Sequence, residues 1–396
     1  MTATIEDYRW LVSGEAEAWL AAARDEVERA GGASAGVVSR LRKDLSAERV
    51  HLVVEQVELR VRAREKFARA EAMFFTRKGL EQATDEQLAQ YKAGRFEAGA
   101  PAFDLCCGIG GDLISLAGRG NAKGVDSDPV VALLAGANLR AQGVAGDEEM
   151  ILVQDAAGVS LGGMAWHCDP DRRAQGRRAT RGELFEPSLE SLGGLLAQSG
   201  DAAIKLAPAT EAPAAWSDAA ELEWLGSRAE CRQQVAWFGR LARHPGGRAA
   251  TVVNSAGDSR TIRGSSQSVP PPAATVGSYV YEPHAAVLAA KLEGALCEEH
   301  GLSPVSTGIA YLTGDEPIDD EALDAFEVCD VLPLDRRQVR EYCREHKIGR
   351  LEIKKRGVDV EPDQLRREIA AEGDNEATLL VAPLAGRVRV VVARRL

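Results

Sequence analysis

The stretch FDLCCGIGGD, residues 103–112, carries the strongest structural signal in the sequence. A short apolar run passes through Asp104, and Gly108, Gly110 and Gly111 follow it closely. Glycine adopts left-handed backbone conformations readily and lets other groups come near the backbone. The stretch therefore predicts a strand that ends in a tight turn at the carboxyl edge of a sheet. Doubly wound α/β folds bind their ligands at that edge.

The same pattern, a short apolar run followed by a helical stretch, recurs along the chain. The six further runs are AKGVDSDP, MILVQDAA, MAWHCDP, AAIKLAP, LEWLGS and AATVVN. Strand-like runs that alternate with helix-like spacers are typical of a doubly wound, mostly parallel sheet. We therefore expect a Rossmann-like α/β sheet of seven strands in residues 99–256.

The residues of the glycine turn argue against two common kinds of nucleotide site. Dinucleotide binding favours G-x-G-x-x-G, and Leu113 stands where the last glycine belongs. A triphosphate-binding loop needs Gly-Lys-Ser/Thr, and Gly111, Asp112 and Leu113 stand there instead. A nicotinamide-dependent oxidoreductase is therefore a disfavoured alternative.

Asp126 ends the next run and is placed to accept hydrogen bonds from both ribose hydroxyls of a bound nucleoside. Asp155 ends the third run.

The chain on either side of the predicted sheet has a different composition. Residues 1–98 show apolar residues at helical spacing and predict an all-α N-terminal domain. Residues 257–278 are rich in Ser, Gly and Pro and predict a linker or exposed loop. Residues 279–396 alternate helix and strand signals and predict a small α/β domain, in which most of the basic charge lies near the C-terminal end.

Composition, charge and cysteine spacing limit the classes of function that the chain can have. The 396 residues carry a formal net charge of −12, which argues against a protein that coats nucleic acid non-specifically. No leader-like start and no long apolar run is present, so we expect a cytoplasmic protein. The seven cysteines lack disulfide-framework spacing and predict reduced thiols. Cys106 and Cys107 are adjacent, not spaced as C-x-x-C, so they predict packing residues and no metal site.

Four motifs in order, FDLCCGIGGD, GVDSDP, VQDAA and CDPDRR, make residues 99–255 resemble class I S-adenosylmethionine-dependent methyltransferases. The resemblance implies S-adenosyl-L-methionine as cofactor. It implies that Gly108 and Gly110 face the methionine part, that Asp126 holds the ribose and that Asp155 meets the adenine. The other cofactor-binding residues that it implies are Asp104, Cys106, Gly111, Ser127 and Ala156.

A second resemblance covers more of the chain. TRKGLEQATDEQLAQYKAGRF, IKLAP, YEPHAAVLAA and GRLEIKKRG are similar to segments of bacterial methyltransferases that carry a THUMP-like C-terminal domain. THUMP domains are associated with RNA-modifying enzymes. This resemblance implies RNA, either tRNA or rRNA, as the substrate.

CDPDRR, residues 168–173, ends the fourth predicted strand, beside the methyl group in the class I arrangement. In amino-methylating relatives an acidic or amide side chain here accepts a hydrogen bond from the target amine, together with a backbone carbonyl. The resemblance gives that role to Asp169 and Pro170. Asp171 and Arg172 replace the second proline and the aromatic residue of those relatives. Alternatives therefore stay open: a protein substrate, or a non-catalytic RNA-binding protein that keeps the fold.

Basic residues supply candidates for substrate binding. Arg172 and Arg173 follow the presumed catalytic pair, and arginine stacks on bases or pairs with phosphate. Lys354, Lys355 and Arg356 end a strand in the last domain and form a second candidate phosphate contact. The alternative for this second cluster is a strand edge whose lysines keep it soluble and prevent pairing with other strands.

His167 lies in an apolar run and predicts a hydrogen-bonded core histidine, while Lys205 has no assigned role.

Overall fold

The computed structural model describes residues 3–30, 32, 34–144, 150–171, 185–268, 270–384 and 386–396. The chain divides into two compact units. The first comprises Met1–Glu221, Gln234–Gly246 and Ser255–Gly257. The second comprises Leu222–Gln233, Gly247–Asn254 and Asp258–Leu396. The predicted helical segment 1–98 therefore shares its compact unit with most of the predicted sheet.

Helices alone occupy the described part of the N-terminal segment. They are α1 (Ile5–Val12), α2 (Glu17–Ala30), α3 (Ala35–Leu41), α4 (Ala47–Ala63), α5 (Arg77–Gln82) and α6 (Glu86–Ala93). Five of the six begin after a side-chain oxygen that accepts a backbone N–H of the first turn, which satisfies an otherwise unpaired donor. These caps are Thr4, Ser34, Ser46, Thr76 and Asp85.

Five parallel strands form the sheet of the first unit. They are β1 (Ala102–Leu105), β2 (Ala122–Asp126), β3 (Ile151–Val153), β4 (Ala165–Cys168) and β5 (Ala202–Leu206), in the order β3-β2-β1-β4-β5. The helices between them are α7 (Gly111–Ala117), α8 (Pro129–Ala141) and α9 (Leu189–Gln198). The order reverses after β3, when the chain crosses to the other side of β1. The carboxyl ends of β1 and β4 thus flank a topological switch point, the usual place for a ligand in such sheets.

The sequence predicted seven strands up to Asn254, and the described chain has nine up to Arg263. The later ones are β6 (Glu221–Ser227), β7 (Glu230–Trp237), β8 (Arg248–Val253) and β9 (Ser259–Arg263). Strands β7 and β9 were not predicted. In the first unit, the end of β7 runs antiparallel to β5, and its polar start lacks the alternation of a half-buried strand. In the second unit, β6 pairs with β8 and β8 with β9.

Strand β9 lies inside the predicted linker 257–278, so that part of the interpretation is corrected. Its residues SRTIR look loop-like because Ile262 is its single fully buried side chain. Pairing with β8 and not composition makes this segment a strand. Edge strands commonly carry polar and charged residues of this kind.

A seven-stranded sheet completes the second unit. Its strands are β10 (Tyr279–Pro283), β11 (Ser303–Pro304), β12 (Leu312–Gly314), β13 (Leu323–Pro333), β14 (Ile348–Lys355), β15 (Asn375–Leu384) and β16 (Arg387–Arg395). Its helices are α10 (Ala285–Ala290), α11 (Glu293–His300), α12 (Arg336–Glu345) and α13 (Pro362–Ile369). The order is β11-β12-β10-β13-β16-β15-β14, antiparallel except for the β14–β15 pair. The apolar faces of α12 and α13 pack on one side of this sheet.

Candidate functional site

The glycine turn follows β1 and leads into α7. Cys106, Gly108 and Gly110 all have positive φ, at 57°, 56° and 89°. The two glycines differ in their surroundings. A Cβ on Gly110 would lie 3.6 Å from the Cα of Ala135 in α8, whereas a Cβ on Gly108 would meet nothing within 4 Å. Gly110 therefore serves helix packing, and Gly108 leaves open space beside the backbone.

Asp126 stands next to this turn at the end of β2. Its Oδ2 accepts the backbone N–H of Gly108 at 3.0 Å, and its Oδ1 accepts that of Asp128 at 3.0 Å. Burial raises the pKa of Asp126, and the two backbone hydrogen bonds oppose this shift. Ser127 follows Asp126, and Asp128 caps α8. An acidic side chain is thus held against the glycine turn.

Asp155 and Ala156 follow β3, the neighbour of β2. The Asp155 side chain is exposed, and its Oδ1 accepts the backbone N–H of Ala157 at 2.9 Å. Ala156 is buried and begins a short 3-10 helix. The glycine turn, Asp126 and Asp155 therefore lie at the carboxyl ends of three adjacent parallel strands, in the order expected from the sequence.

Asp169 lies on the other side of β1, immediately after β4. Its backbone N–H donates to the carbonyl of Leu105 at 3.3 Å, which fixes it beside the glycine turn. Its Oδ2 lies 2.5 Å from Nζ of Lys205 on β5, and its side chain is 22% exposed. Pro170 is buried, and Asp171 pairs with Lys78 at 2.7 Å. Arg172 and Arg173 lie outside the described residues.

A buried polar network lies directly beneath the ends of β1 and β4. His167 Nδ1 lies 2.7 Å from Asp104 Oδ1, and both side chains are at most 2% exposed. His167 Nε2 lies 3.2 Å from Nζ of Lys92, which pairs with Asp112 at 2.7 Å. The expectation of a hydrogen-bonded core histidine is confirmed. The arrangement assigns the Nδ1 proton to the bond with Asp104 and leaves Nε2 to accept from the Lys92 ammonium.

The charged groups of the network shift one another's pKa values. Burial lowers the pKa of Lys92, although the Asp112 carboxylate opposes this. Burial acts to raise the pKa of Asp112, but Lys92, His167 and Lys205 outweigh it, so the pKa lies well below the usual range. Asp104 behaves in the opposite way, because burial raises its pKa against the effect of His167.

The cysteines beside the site differ in exposure. Cys107 and Cys168 are buried, and burial raises the pKa of both thiols well above the usual value. Such thiols remain protonated and unreactive at neutral pH. Cys106 is partly exposed at the start of the glycine turn. Cys107 therefore packs as expected, whereas Cys106 is only partly buried.

The basic cluster of the second unit is engaged with acidic neighbours. Lys354 pairs with Glu282 on β10, and Arg356 Nη2 lies 2.8 Å from the other oxygen of the same carboxylate. Lys355 makes a longer contact, 3.5 Å, with Glu361. The charge of Lys354 and Arg356 is thus partly neutralised within the fold.

Comparison with known proteins decides the family. Two curated proteins of Mycobacterium tuberculosis, from strains CDC 1551 / Oshkosh and H37Rv, are each 31% identical over 330 residues. The match spans 81% of this chain and 87% of each relative, and both are described as uncharacterized S-adenosylmethionine-dependent methyltransferases. The chain belongs to this family. It is an S-adenosylmethionine-dependent methyltransferase, and its cofactor is S-adenosyl-L-methionine.

Three further similarities describe the parts of this methyltransferase. The crystal structure of a proposed methyltransferase from Porphyromonas gingivalis W83 superimposes with a TM-score of 0.73 at 19% identity, covering 89% of this chain and 92% of the other. The methyltransferase-like α/β fold is thereby shown. Residues 323–395 match the family model described as THUMP domain-like, and residues 4–63 match a domain of unknown function (DUF8688).

The glycine turn of the methyltransferase fits its cofactor on structural grounds. The open space beside Gly108 and the acceptor oxygens of Asp126 suit a ligand with a polar backbone and a ribose. Among the residues that the structure describes, no group of three or more His, Cys, Asp or Glu side chains is placed to hold a metal ion. No helix in the described ranges is long and apolar enough to cross a membrane.

The Thr84 hydroxyl joins the buried polar network by donating to Asp112 Oδ2 at 2.8 Å. The sequence analysis gave no chemical role to four residues: Thr84, Lys92, Asp112 and Lys205. Thr84 and Lys92 come from the N-terminal helical segment, which the sequence separated from the catalytic domain. A signal was present, because Lys92 lies one helical turn after Leu88 and Ala89, both buried. A lysine on the apolar face of a helix indicates a buried partner.

Proposed function

We propose that this methyltransferase transfers a methyl group to a nitrogen of an RNA base, with Asp169 and Pro170 at the target amine. The observation that carries the proposal is the position of Asp169. It follows β4 directly and is hydrogen-bonded through its backbone to Leu105, the last residue before the glycine turn.

The proposed cofactor site uses the carboxyl ends of three strands. Gly108 and Gly110 border the methionine part, Asp126 accepts from the ribose, and Asp155 with Ala156 borders the adenine. Asp104, Cys106, Gly111 and Ser127 complete the set. Gly111 also has a structural reason to be glycine, because a Cβ there would lie 3.2 Å from the carbonyl of Thr84. When bound, S-adenosyl-L-methionine supplies a methyl group on a positively charged sulfur.

The residues near Asp169 orient the nucleophile and need to do little acid–base chemistry. The carboxylate of Asp169 accepts an N–H of the target amine, so that the nitrogen lone pair faces the methyl group. The Pro170 segment offers a backbone carbonyl as a second acceptor. Positioning of this kind supplies a large part of the rate in bimolecular reactions.

The choice of RNA depends on the C-terminal unit. The THUMP domain-like match over residues 323–395 supports it, since THUMP domains are associated with RNA modification. Lys354, Lys355 and Arg356 are the proposed phosphate contacts in that unit, and Arg172 and Arg173 are the proposed contacts near the site.

The test is methyl transfer from radiolabelled S-adenosylmethionine to tRNA and rRNA taken from a strain that lacks the gene. Mass spectrometry of the product nucleosides then identifies the methylated atom. We expect label in one RNA class and a methylated base nitrogen, with Asp169→Ala reduced by about 10²-fold. Label on a base carbon, on ribose or only on protein would contradict the proposal.

A further inference from the structure

Lys205 holds Asp169 with a saturated set of hydrogen bonds. The ammonium lies 2.5 Å from Asp169 Oδ2, 3.3 Å from the carbonyl of Gln82 and 3.4 Å from Oγ1 of Thr84. A lysine ammonium has three protons to donate. Since three acceptors surround it and the residue is 6% exposed, Lys205 has no proton to offer to a substrate.

The two other acceptors around Lys205 are themselves fixed. The Thr84 hydroxyl donates to Asp112 Oδ2 at 2.8 Å, so its lone pairs are available to Lys205. Asp112 is paired in turn with the buried Lys92. The Gln82 carbonyl belongs to the last residue of α5. The ammonium is therefore anchored from the N-terminal helical segment rather than by flexible surface groups.

The two oxygens of Asp169 have different surroundings. Oδ2 is occupied by Lys205, whereas no described residue donates a hydrogen bond to Oδ1. The side chain keeps 22% of its surface exposed. An ionised carboxylate accepts through both oxygens, so Oδ1 is available to a ligand at the end of β4.

We propose that Lys205 is a positioning residue that fixes the Asp169 carboxylate, with Oδ1 directed outward, for the target amine. The inference rests on the proposed function and assigns a role to a residue that the sequence left without one. It also makes α5, α6 and the loop between them part of the catalytic site. Loss of the ammonium removes the contact at 2.5 Å and frees the Asp169 side chain to rotate.

The other ionisable groups around this pair come from three elements. Lys92 on α6 acts on Asp169 and Lys205 through its charge, Asp112 on α7 acts on Lys205, and Cys168 precedes Asp169 on β4. Unlike these three groups, Lys205 contacts the Asp169 carboxylate directly. A change confined to Lys205 thus isolates the nearest charge.

The experiment compares the full-length wild type with Lys205→Met, and with Lys43→Met as an exposed control. Protein labelled with ¹³C at the aspartate carboxyl carbon is examined by NMR at one fixed pH, and Asp169→Asn identifies the Asp169 signal. We expect this signal to move in Lys205→Met and to stay in place in Lys43→Met, because the Lys205 ammonium lies 2.5 Å from Asp169 Oδ2. We expect kcat for methyl transfer to fall by about 10²-fold, while the Kd for S-adenosylhomocysteine changes less than twofold.

Thr84→Val and Thr84→Ser provide a second pair if Lys205→Met fails to fold. Serine keeps the hydroxyl and should preserve activity, whereas valine should lower kcat. An unchanged Asp169 carboxyl signal, or an unchanged kcat, in Lys205→Met would overturn the inference. If wild type methylates no RNA, the proposed function fails. The NMR comparison needs no substrate and still decides whether Lys205 holds the Asp169 carboxylate in place.

Discussion

His167 and Asp104 are cross-strand partners on β4 and β1, and their side chains meet at 2.7 Å in the core. This bond ties together the two strands whose ends carry the proposed chemistry. Asp104 precedes the glycine turn, and His167 precedes Asp169 by two residues. This one buried bond therefore lies beneath both the proposed cofactor-binding turn and the proposed substrate-binding residue Asp169.

Replacing Lys92 by methionine should destabilise the protein. The change leaves Asp112 buried without its cation, for which about 3 to 5 kcal/mol of the free energy of unfolding is the expected loss. The double variant Lys92→Met/Asp112→Leu should recover most of this, because no charge is then stranded. Urea unfolding measures all three proteins. Equal losses in the single and the double variant would show that the pair does not act as a unit.

The two buried aspartates should respond to pH in opposite directions. The pKa of Asp112 is lowered, so its stabilising contribution is present above the ordinary value of about 3.9 and is lost as the pH falls below it. The pKa of Asp104 is raised, so its contribution is present at low pH and is lost as the pH rises through the raised pKa.

This difference is measured as the free energy of unfolding of wild type minus that of each asparagine variant. Acidification from about pH 6 to pH 3 should shrink the difference for Asp112→Asn and enlarge it for Asp104→Asn. The same trend in both variants would refute the assignment of opposite shifts.

Gly110→Ala should destabilise the protein by about 1 to 2 kcal/mol, because the Cβ of alanine makes the left-handed backbone at φ 89° unfavourable. Gly193 in α9 is the matched control, since it lies in a helix and a Cβ there meets nothing within 4 Å. Gly193→Ala should stabilise by about 0.5 to 1 kcal/mol. Thermal unfolding of both variants checks the pair. Stabilisation by Gly110→Ala would mean that the turn has another conformation.

The sequence was sufficient for the parts of the fold that local patterning determines. The β1 turn, the ends of β2 and β3 and the position of Asp169 follow from short apolar runs with polar ends. Strand β9 was not predicted because its pairing with β8, rather than its own residues, makes it a strand. The network was missed because Lys92, Asp112 and Lys205 are far apart in sequence, and only folding brings their charges together.

Lys355 offers a direct test of phosphate contact, since its contact with Glu361 is longer than those that Lys354 and Arg356 make with Glu282. If the basic cluster binds RNA phosphates, Lys355→Met should weaken binding to every RNA sequence alike. It should reduce the magnitude of the slope of log K against log salt by about one. Lys43→Met should leave the slope unchanged. An unchanged slope in Lys355→Met would favour a strand edge with no role in binding.

Calorimetric titration of S-adenosylmethionine into wild type, Asp126→Ala and the exposed control Asp44→Ala is the decisive test of the cofactor site. We expect saturable binding by wild type and control. We expect a loss of about 1 to 3 kcal/mol of binding free energy in Asp126→Ala, because buried ribose hydroxyls lose their acceptor. Equal affinity for all three folded proteins would contradict this site, since the cofactor would then bind away from the glycine turn.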